Sequence, residues 1–211
     1  MQKVLILGAH GQIARLVERN LLEDDIQQRL FLRRASRLKK IDVSKQEVFE
    51  GDATKVSDLT KALADVDLVY ANLAGEIVAE AEALVEAMRA THVKRLIWIS
   101  TLGIYDEVPG AYGKWNHEML DGGYLETYAA AAKVIEDSGL AYTIIRPAWL
   151  TNYDEISYEL TPKGTAFKGT EVSRKSVADL VAKIILAPEK YIGASLGVNK
   201  PHTDGPKPSW Y

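Results

Sequence analysis

The chain has 211 residues, of which 47% are hydrophobic, and its formal net charge is -3. This length suits one well-buried domain, and the small charge gives no reason to expect a nucleic acid or an anionic membrane as a partner. Cysteine is absent, which excludes disulfides, thiolate catalysis and iron–sulfur clusters. The four histidines lack the spacing of metal ligands, so no metal is expected. No signal peptide or membrane span is evident, and we expect a cytoplasmic monomer or homodimer that acts on a small molecule.

The first strand, turn and helix have the pattern of a dinucleotide-binding unit. The apolar run at residues 4–7 predicts a buried parallel strand, and Gly8-x-x-Gly11-x-x-Ala14 follows it directly. Glycines let the backbone turn sharply and approach a ligand, and the N-terminus of the helix that follows attracts anions. We therefore expect cofactor contacts from the whole turn, which comprises Gly8, Ala9, His10, Gly11, Gln12 and Ile13. A strand–turn–helix with glycines for geometry alone is the alternative.

The end of the second strand carries basic residues where an NAD-specific protein would carry an acidic one. That acidic residue is expected about 20 residues after the glycines, where it binds the ribose 2′-hydroxyl. Here Arg33 and Arg34 occupy the place, with Arg37 close behind. Guanidinium groups suit a phosphate, so the sequence favours NADP(H) as the cofactor. The alternative is a solvated basic edge that also includes Lys39 and Lys40.

Strands and helices alternate along the rest of the chain. Strands are predicted at residues 30–34, 47–50, 68–71, 95–100 and 142–146. Three helices are predicted between them: one that begins after an N-cap at Ser57, one at residues 77–91 and one at residues 124–137. This order predicts a Rossmann-type α/β fold, a doubly wound parallel sheet with helices on both faces, as a single domain over residues 1–211.

Three stretches lack this regularity: residues 102–123, residues 149–172 and the tail from Leu196. The first two follow the carboxyl ends of the fifth and sixth strands, where open α/β sheets bind ligands. We therefore expect them to form substrate-side loops. The tail is predicted to be an extended surface strap or disordered.

The chain resembles the atypical short-chain dehydrogenases/reductases of the NmrA-like, NAD(P)H-binding group. The resemblance rests on the glycine motif, on Leu32-Arg33, Gly51-Asp52 and Ile99-Ser100-Thr101, and on residues 138–147 and 173–180. It implies a Rossmann sheet with NADP(H) across its carboxyl edge. It further implies that Asp52 contacts the adenine and that Pro147 and Ala148 lie near the nicotinamide. The other residues expected to contact the cofactor are Ala53, Asn72, Leu73, Ser100, Thr101 and Lys133.

The sequence departs from this family in its catalytic residues. Typical members have a tyrosine four residues before a lysine, which lowers the pKa of the tyrosine. No tyrosine here has that partner; Tyr128 and Lys133 come closest, at a spacing of five that turns Lys133 to another side of a regular helix. We therefore assign no proton-relay pair. The remaining catalytic candidates are Ser100 at the end of the fifth strand and Tyr105 in the loop beyond it.

Two classes of function fit these observations. The first is an NADPH-dependent oxidoreductase that reduces a small carbonyl, quinone or similar acceptor by hydride transfer. The second is a non-catalytic NADP(H)-binding redox sensor, which the missing tyrosine–lysine pair favours. Aromatic residues in both substrate-side loops favour the reductase. A nucleotide-sugar epimerase or dehydratase is a weaker alternative, because such enzymes usually keep the pair and add a larger C-terminal domain.

Overall fold

The computed structural model describes residues 2–211 and consists of ten strands, six α-helices and a short 3₁₀ turn at Ala35–Arg37. The strands are β1 Gln2–Leu7, β2 Ile26–Leu32, β3 Gln46–Glu50, β4 Leu68–Ala71, β5 Arg95–Ile99, β6 Ala141–Pro147, β7 Trp149–Thr151, β8 Glu159–Pro162, β9 Glu171–Ser173 and β10 Ala194–Asn199. The helices are α1 Gln12–Asn20, α2 Val56–Ala62, α3 Ile77–Thr91, α4 Gly110–Met119, α5 Tyr124–Glu136 and α6 Arg174–Leu186.

Eight strands form one sheet in the order β3-β2-β1-β4-β5-β6-β10-β8. All pairings are parallel except that of β8 with β10, which closes one edge. Strands β7 and β9 pair separately beside the sheet. The chain passes from β1 outward to β3 and then returns to place β4 on the other side of β1. The strand order therefore reverses between β1 and β4, where doubly wound sheets bind their ligands.

Helices cover both faces of the sheet, so successive residues of the central strands enter different hydrophobic cores. Val4 and Ile6 of β1 pack with α1 and α6, whereas Leu5 and Leu7 pack with α2, α3 and α5. All four side chains are fully buried. A strand buried on both faces reads as a continuous apolar run, which is the pattern found at residues 4–7. This architecture confirms the predicted Rossmann-type fold.

The two substrate-side stretches and the tail contain structure that the sequence did not predict. Helix α4 lies within residues 102–123, strands β7, β8 and β9 lie within 149–173, and β10 covers the start of the tail. The predictions of irregular structure there were wrong, because these short elements depend on tertiary packing. Helix α2 begins at Val56 with Lys55 as its N-cap, so the expected cap at Ser57 was also wrong.

The chain beyond β10 runs back over the surface as a strap. The backbone N–H of Ser209 donates to Glu171 Oε2 at 2.9 Å, and the Tyr211 ring packs edge-on against Trp115 and Trp149. The prediction of an extended strap is therefore confirmed for this segment. Among residues 2–211, every helix is too short or too polar to span a bilayer. Nor do these residues bring three His, Asp or Glu side chains together as a metal site would require.

Candidate functional site: a cleft at the carboxyl edge of the sheet

A cleft of about 390 Å³ opens at the carboxyl ends of β1 and β4. Its walls come from the β1–α1 turn, the ends of β2, β3 and β5, the segment after β4, and helices α3 and α5. Ten of the residues expected to bind a cofactor line it: Gly8, His10, Gly11, Ile13, Arg33, Arg34, Ala53, Asn72, Leu73 and Ser100. The fold therefore brings together residues that are distant in the chain, from Gly8 to Ser100.

The β1–α1 turn is held against the segment after β4 so closely that only glycine fits. Gly8 has a φ of 71°, in the left-handed region, and its N–H donates to Phe31 O at 3.0 Å. A Cβ at Gly8 would overlap the carbonyl oxygen of Asn72, and one at Gly11 would overlap the Asn72 side-chain amide. The two glycines thus leave backbone, rather than side chains, at the floor of the cleft.

One end of the cleft is strongly basic. Arg33, Arg34 and Arg37 all line it, and none of them forms an ion pair with a carboxylate among residues 2–211. Arg37 Nη1 donates to His10 Nε2 at 2.7 Å, which requires the other ring nitrogen to carry the proton in the neutral imidazole. Partial burial, Arg37 and Arg33 lower the pKa of His10, so the ring is neutral at neutral pH. The positive charge at this end therefore comes from the guanidinium groups.

The other end of the cleft is formed by Ser100, Tyr124 and Tyr128. Ser100 is buried, its backbone N–H donates to Ile145 O at 2.8 Å, and its Oγ has no hydrogen-bond partner among residues 2–211. Tyr124 and Tyr128 lie one turn apart on α5, with ring centroids 4.5 Å apart. A buried hydroxyl without a protein partner is costly unless water or a ligand satisfies it. Ser100 Oγ is thus available to a ligand at this end.

Glu80 on α3 also lines the cleft as a buried carboxyl group, and its Oε2 has no hydrogen-bond partner among the described residues. Burial raises the pKa of Glu80 to about 7; Arg33 opposes this shift, while Asp52 and Glu76 add to it. The Glu80 carboxyl therefore gains and loses its proton close to neutral pH. The position was overlooked in the sequence, although Glu80 lies one turn after Ile77 on the inner face of the helix.

A second cavity of about 270 Å³ adjoins the cleft on its substrate side. The two share Ile99, Ser100, Tyr124 and Leu150. The predicted contacts Thr101, Pro147 and Ala148 line this second cavity rather than the cleft, together with Leu102, Leu120, Trp149 and Arg174. A ligand in the cleft and a ligand in the second cavity would thus meet at Ser100 and Tyr124.

Four expected cofactor contacts lie outside both cavities. Ala9 is fully buried in the core, and Gln12 is exposed at the start of α1. The Asp52 carboxylate accepts hydrogen bonds from Thr54 N and Oγ1, which lower its pKa and tie it to its own loop. Lys133 is exposed and pairs with Asp137 at 2.7 Å. Because α5 is a regular helix, the five-residue spacing from Tyr128 turns Lys133 away from the cleft.

Tyr105 does not reach either cavity, so the structure gives its expected role as a proton donor no support. Its hydroxyl donates to Glu136 Oε1 at 2.8 Å and contacts Ser195 Oγ at 3.2 Å. Its ring lies beneath Lys163 Nζ, 4.1 Å from the ring centroid. Burial raises the pKa of Tyr105 further, which makes the phenol a weaker acid.

Sequence reasoning also missed Tyr124. In typical family members a lysine lies four residues after the tyrosine, and here the residue four positions after Tyr124 is Tyr128. The search for a lysine partner passed over this pair. Both rings line the cleft.

Comparison with known proteins identifies the family of this chain. Residues 8–188 match the model of the NAD(P)H-binding family. The chain belongs to that family. No curated protein matches the sequence significantly.

Solved structures of similar proteins match nearly the full length of this NAD(P)H-binding chain. A Rossmann-fold NAD(P)-binding family protein from Shigella flexneri is 44% identical, with a TM-score of 0.86, over 99% of this chain and 98% of that one. A short-chain dehydrogenase/reductase (wide type) from Veillonella parvula, solved in complex with NADP, is 32% identical with a TM-score of 0.93, over 99% of both chains. At 18% identity and a TM-score of 0.82, an anaerobilin reductase from Escherichia coli O157:H7 shares the fold over 97% of this chain and 100% of that one.

The Veillonella parvula relative confirms the expected membership of the short-chain dehydrogenase/reductase family. The NmrA-like assignment within it stays a prediction.

Proposed function

We propose that this protein is an NADPH-dependent oxidoreductase that reduces a small carbonyl, quinone or similar acceptor by hydride transfer. The observation that carries the proposal is the buried Ser100 hydroxyl, which has no partner among residues 2–211 and lies where the two cavities meet. A cofactor-binding protein without an acceptor needs neither a second cavity nor a free polar group at its junction with the first.

The residues of the cleft fit NADP(H). The glycine turn and the N-terminus of α1 would hold the pyrophosphate, because Gly8 and Gly11 leave the space that a Cβ would fill. Ala53 and Leu73 would contact the adenine. Arg33, Arg34 and Arg37 would hold the ribose 2′-phosphate, since they have no carboxylate partners within residues 2–211 and present guanidinium groups at that end. The NADP complex of the Veillonella parvula relative supports this choice of cofactor.

When bound, the cofactor supplies the hydride. The chain's own residues would position the acceptor: Ser100 Oγ donates a hydrogen bond to the acceptor oxygen, and Pro147 and Ala148 form the wall beside it. A hydrogen bond that strengthens as negative charge develops on that oxygen lowers the reaction barrier. With Lys133 turned away, the proton comes from a different source than in typical family members, either water or the Tyr124 hydroxyl.

The alternative is a non-catalytic NADP(H)-binding redox sensor. The exposed, ion-paired position of Lys133 favours it, because no lysine among the described residues then lines the cleft, where it could lower the pKa of a tyrosine. Both proposals use the same cofactor cleft, so only turnover separates them.

The test measures NADPH consumption against a panel of quinones, diketones and aldehydes, with NADH in parallel. We expect turnover, faster with NADPH, and a loss in kcat of about 100-fold in Ser100→Ala with little change in NADPH affinity. Ser57→Ala is the matched control, since Ser57 is exposed on α2 and lines neither cavity. Tight NADPH binding without turnover of any acceptor would instead favour the sensor.

A further inference from the structure

Of the residues 2–211 that line the second cavity, Arg174 alone is charged. It is the first residue of α6, and its Nη1 donates to Asn152 Oδ1 at 2.9 Å and to Leu150 O at 3.3 Å. Leu102, Leu120 and Trp149 are among the apolar and aromatic walls, and Ser100 and Thr101 add polar side chains. A half-buried guanidinium therefore faces a small cavity of mixed character, with neutral groups as its protein partners.

The positive charge of Arg174 is not neutralised by the protein. Arg174 forms no ion pair among residues 2–211, whereas its neighbour Lys175 pairs with Asp154 at 2.7 Å. Burial lowers the pKa of Arg174, as expected for a charge that loses water without gaining a carboxylate, although arginine stays protonated. The first turn of α6 has no acidic residue, and the N-terminus of a helix disfavours a cation. Helix stability thus gives no reason for arginine at this position.

We propose that the acceptor carries a carboxylate, which pairs with Arg174 while its reducible carbonyl lies at Ser100. This inference rests on the proposed reductase function. Both residues line the second cavity, and the Ser100 hydroxyl there has no protein partner. A carboxylate would supply the bidentate acceptor that the guanidinium lacks. The cavity volume of about 270 Å³ and the Trp149 wall limit the acceptor to a small, planar body.

The reaction then balances as an ordinary carbonyl reduction. The carbonyl carbon accepts a hydride with its two electrons from NADPH, and the carbonyl oxygen accepts a proton. The products are the hydroxy acid and NADP⁺. The carboxylate takes no part in the bond changes; its pairing with Arg174 fixes which end of the acceptor reaches Ser100.

The test compares the binding of 4-carboxybenzaldehyde and of its methyl ester to the protein saturated with NADP⁺, by calorimetric titration. We expect the acid to bind at least about 10-fold more tightly than the ester. Arg174→Gln should remove that preference and leave ester binding unchanged, and Arg174→Lys should keep part of it. Lys175→Gln, which removes a positive charge one residue away and outside the cavity, should keep all of it.

Equal affinity for acid and ester in the wild-type protein would overturn the proposal, and this comparison does not depend on any variant. The same holds if Arg174→Gln weakens acid and ester alike, since Arg174 would then only brace Asn152. The reductase proposal fails separately: selective acid binding without NADPH oxidation would refute the reductase but leave an acid-binding site at Arg174. Faster turnover of the ester than of the acid would refute the proposed carboxylate recognition but not the reductase function.

Discussion

Arg33 and Arg34 begin where β2 ends, and both point into the basic end of the cleft. Replacing both with alanine removes two guanidinium groups that can each donate charge-assisted hydrogen bonds to a 2′-phosphate, whereas a 2′-hydroxyl has no negative charge for them to bind. We expect NADPH affinity to fall by roughly 10- to 100-fold and NADH affinity to change little. Calorimetric titration of each cofactor measures the two losses independently.

The matched control for this change is Lys39→Ala with Lys40→Ala. It removes the same net charge from exposed positions a few residues away that do not line the cleft. If this control weakens NADPH as much as the arginine pair does, the basic edge acts only through its overall charge. Equal losses for NADPH and NADH in the arginine variant would contradict 2′-phosphate recognition.

Glu80 makes stability depend on pH in a defined direction. Its pKa is raised from 4.5 to about 7 in the folded protein, so the unfolded chain loses this proton at lower pH than the folded chain. The free energy of unfolding therefore falls as the pH rises through this window, by at most about 3 kcal/mol, because solvent partly screens the carboxyl. We expect Glu80→Gln to lose distinctly less stability between about pH 5 and pH 8, measured by urea unfolding.

The comparison with the wild-type protein isolates Glu80 from Glu18, a second buried carboxyl group with a raised pKa. Glu18, whose pKa burial raises to about 8 despite its ion pair with Arg15, is present in both proteins and contributes equally to both curves. Parallel stability curves for wild type and Glu80→Gln would show that the Glu80 carboxyl titrates normally.

At the scale of elements, the β1–α1 turn and the segment after β4 are joined by a contact that requires glycine. Gly8→Ala would place a Cβ against Asn72 O at a φ of 71°. We expect it to lower the free energy of unfolding by at least about 2 kcal/mol, because left-handed backbone and steric overlap both add cost.

Gly205→Ala is the control for this turn, since the nearest atom to its Cβ would be Lys207 O at 3.6 Å, an ordinary contact. It should change stability by less than about 0.5 kcal/mol in urea unfolding. A Gly8→Ala protein as stable as Gly205→Ala would mean that the turn can open away from Asn72.

Helix α5 shows what sequence spacing could and could not predict about the site. The five-residue spacing predicted that Lys133 lies on another side of the helix than Tyr128, and the lysine is exposed in the structure. The same argument places Tyr124 and Tyr128 on one side of the helix. Their meeting with Glu80 of α3 was not predictable, because it depends on how two helices distant in sequence pack against each other.

For the molecule as a whole, the apolar runs and the glycine turns were sufficient to predict the doubly wound sheet and its first six strands, β1 to β6. Parallel strands buried on both faces leave an unambiguous pattern, as in residues 4–7. Strand β10 was missed because Gly197, Ser195 and Asn199 interrupt its apolar pattern. Its place is set by pairing with β6 and β8 rather than by its own residues.

The second cavity likewise exists only in the assembled molecule. Ser100 follows β5, Tyr124 begins α5 and Arg174 begins α6, so no local pattern links the three. The carboxyl ends of parallel strands lie at one edge of the sheet, so the sequence predicted that ligands bind at this edge. The residues that could bind an acceptor were identified only from the positions of individual side chains in the structure.

The central claim is that the cleft selects NADPH through its basic end. The most direct measurement is calorimetric titration of NADPH and NADH into the wild-type protein under identical salt. We expect saturable binding of one NADPH per chain, with a Kd at least about 10-fold lower than that of NADH. Equal affinity for the two cofactors, or no saturable binding of either, would contradict the claim.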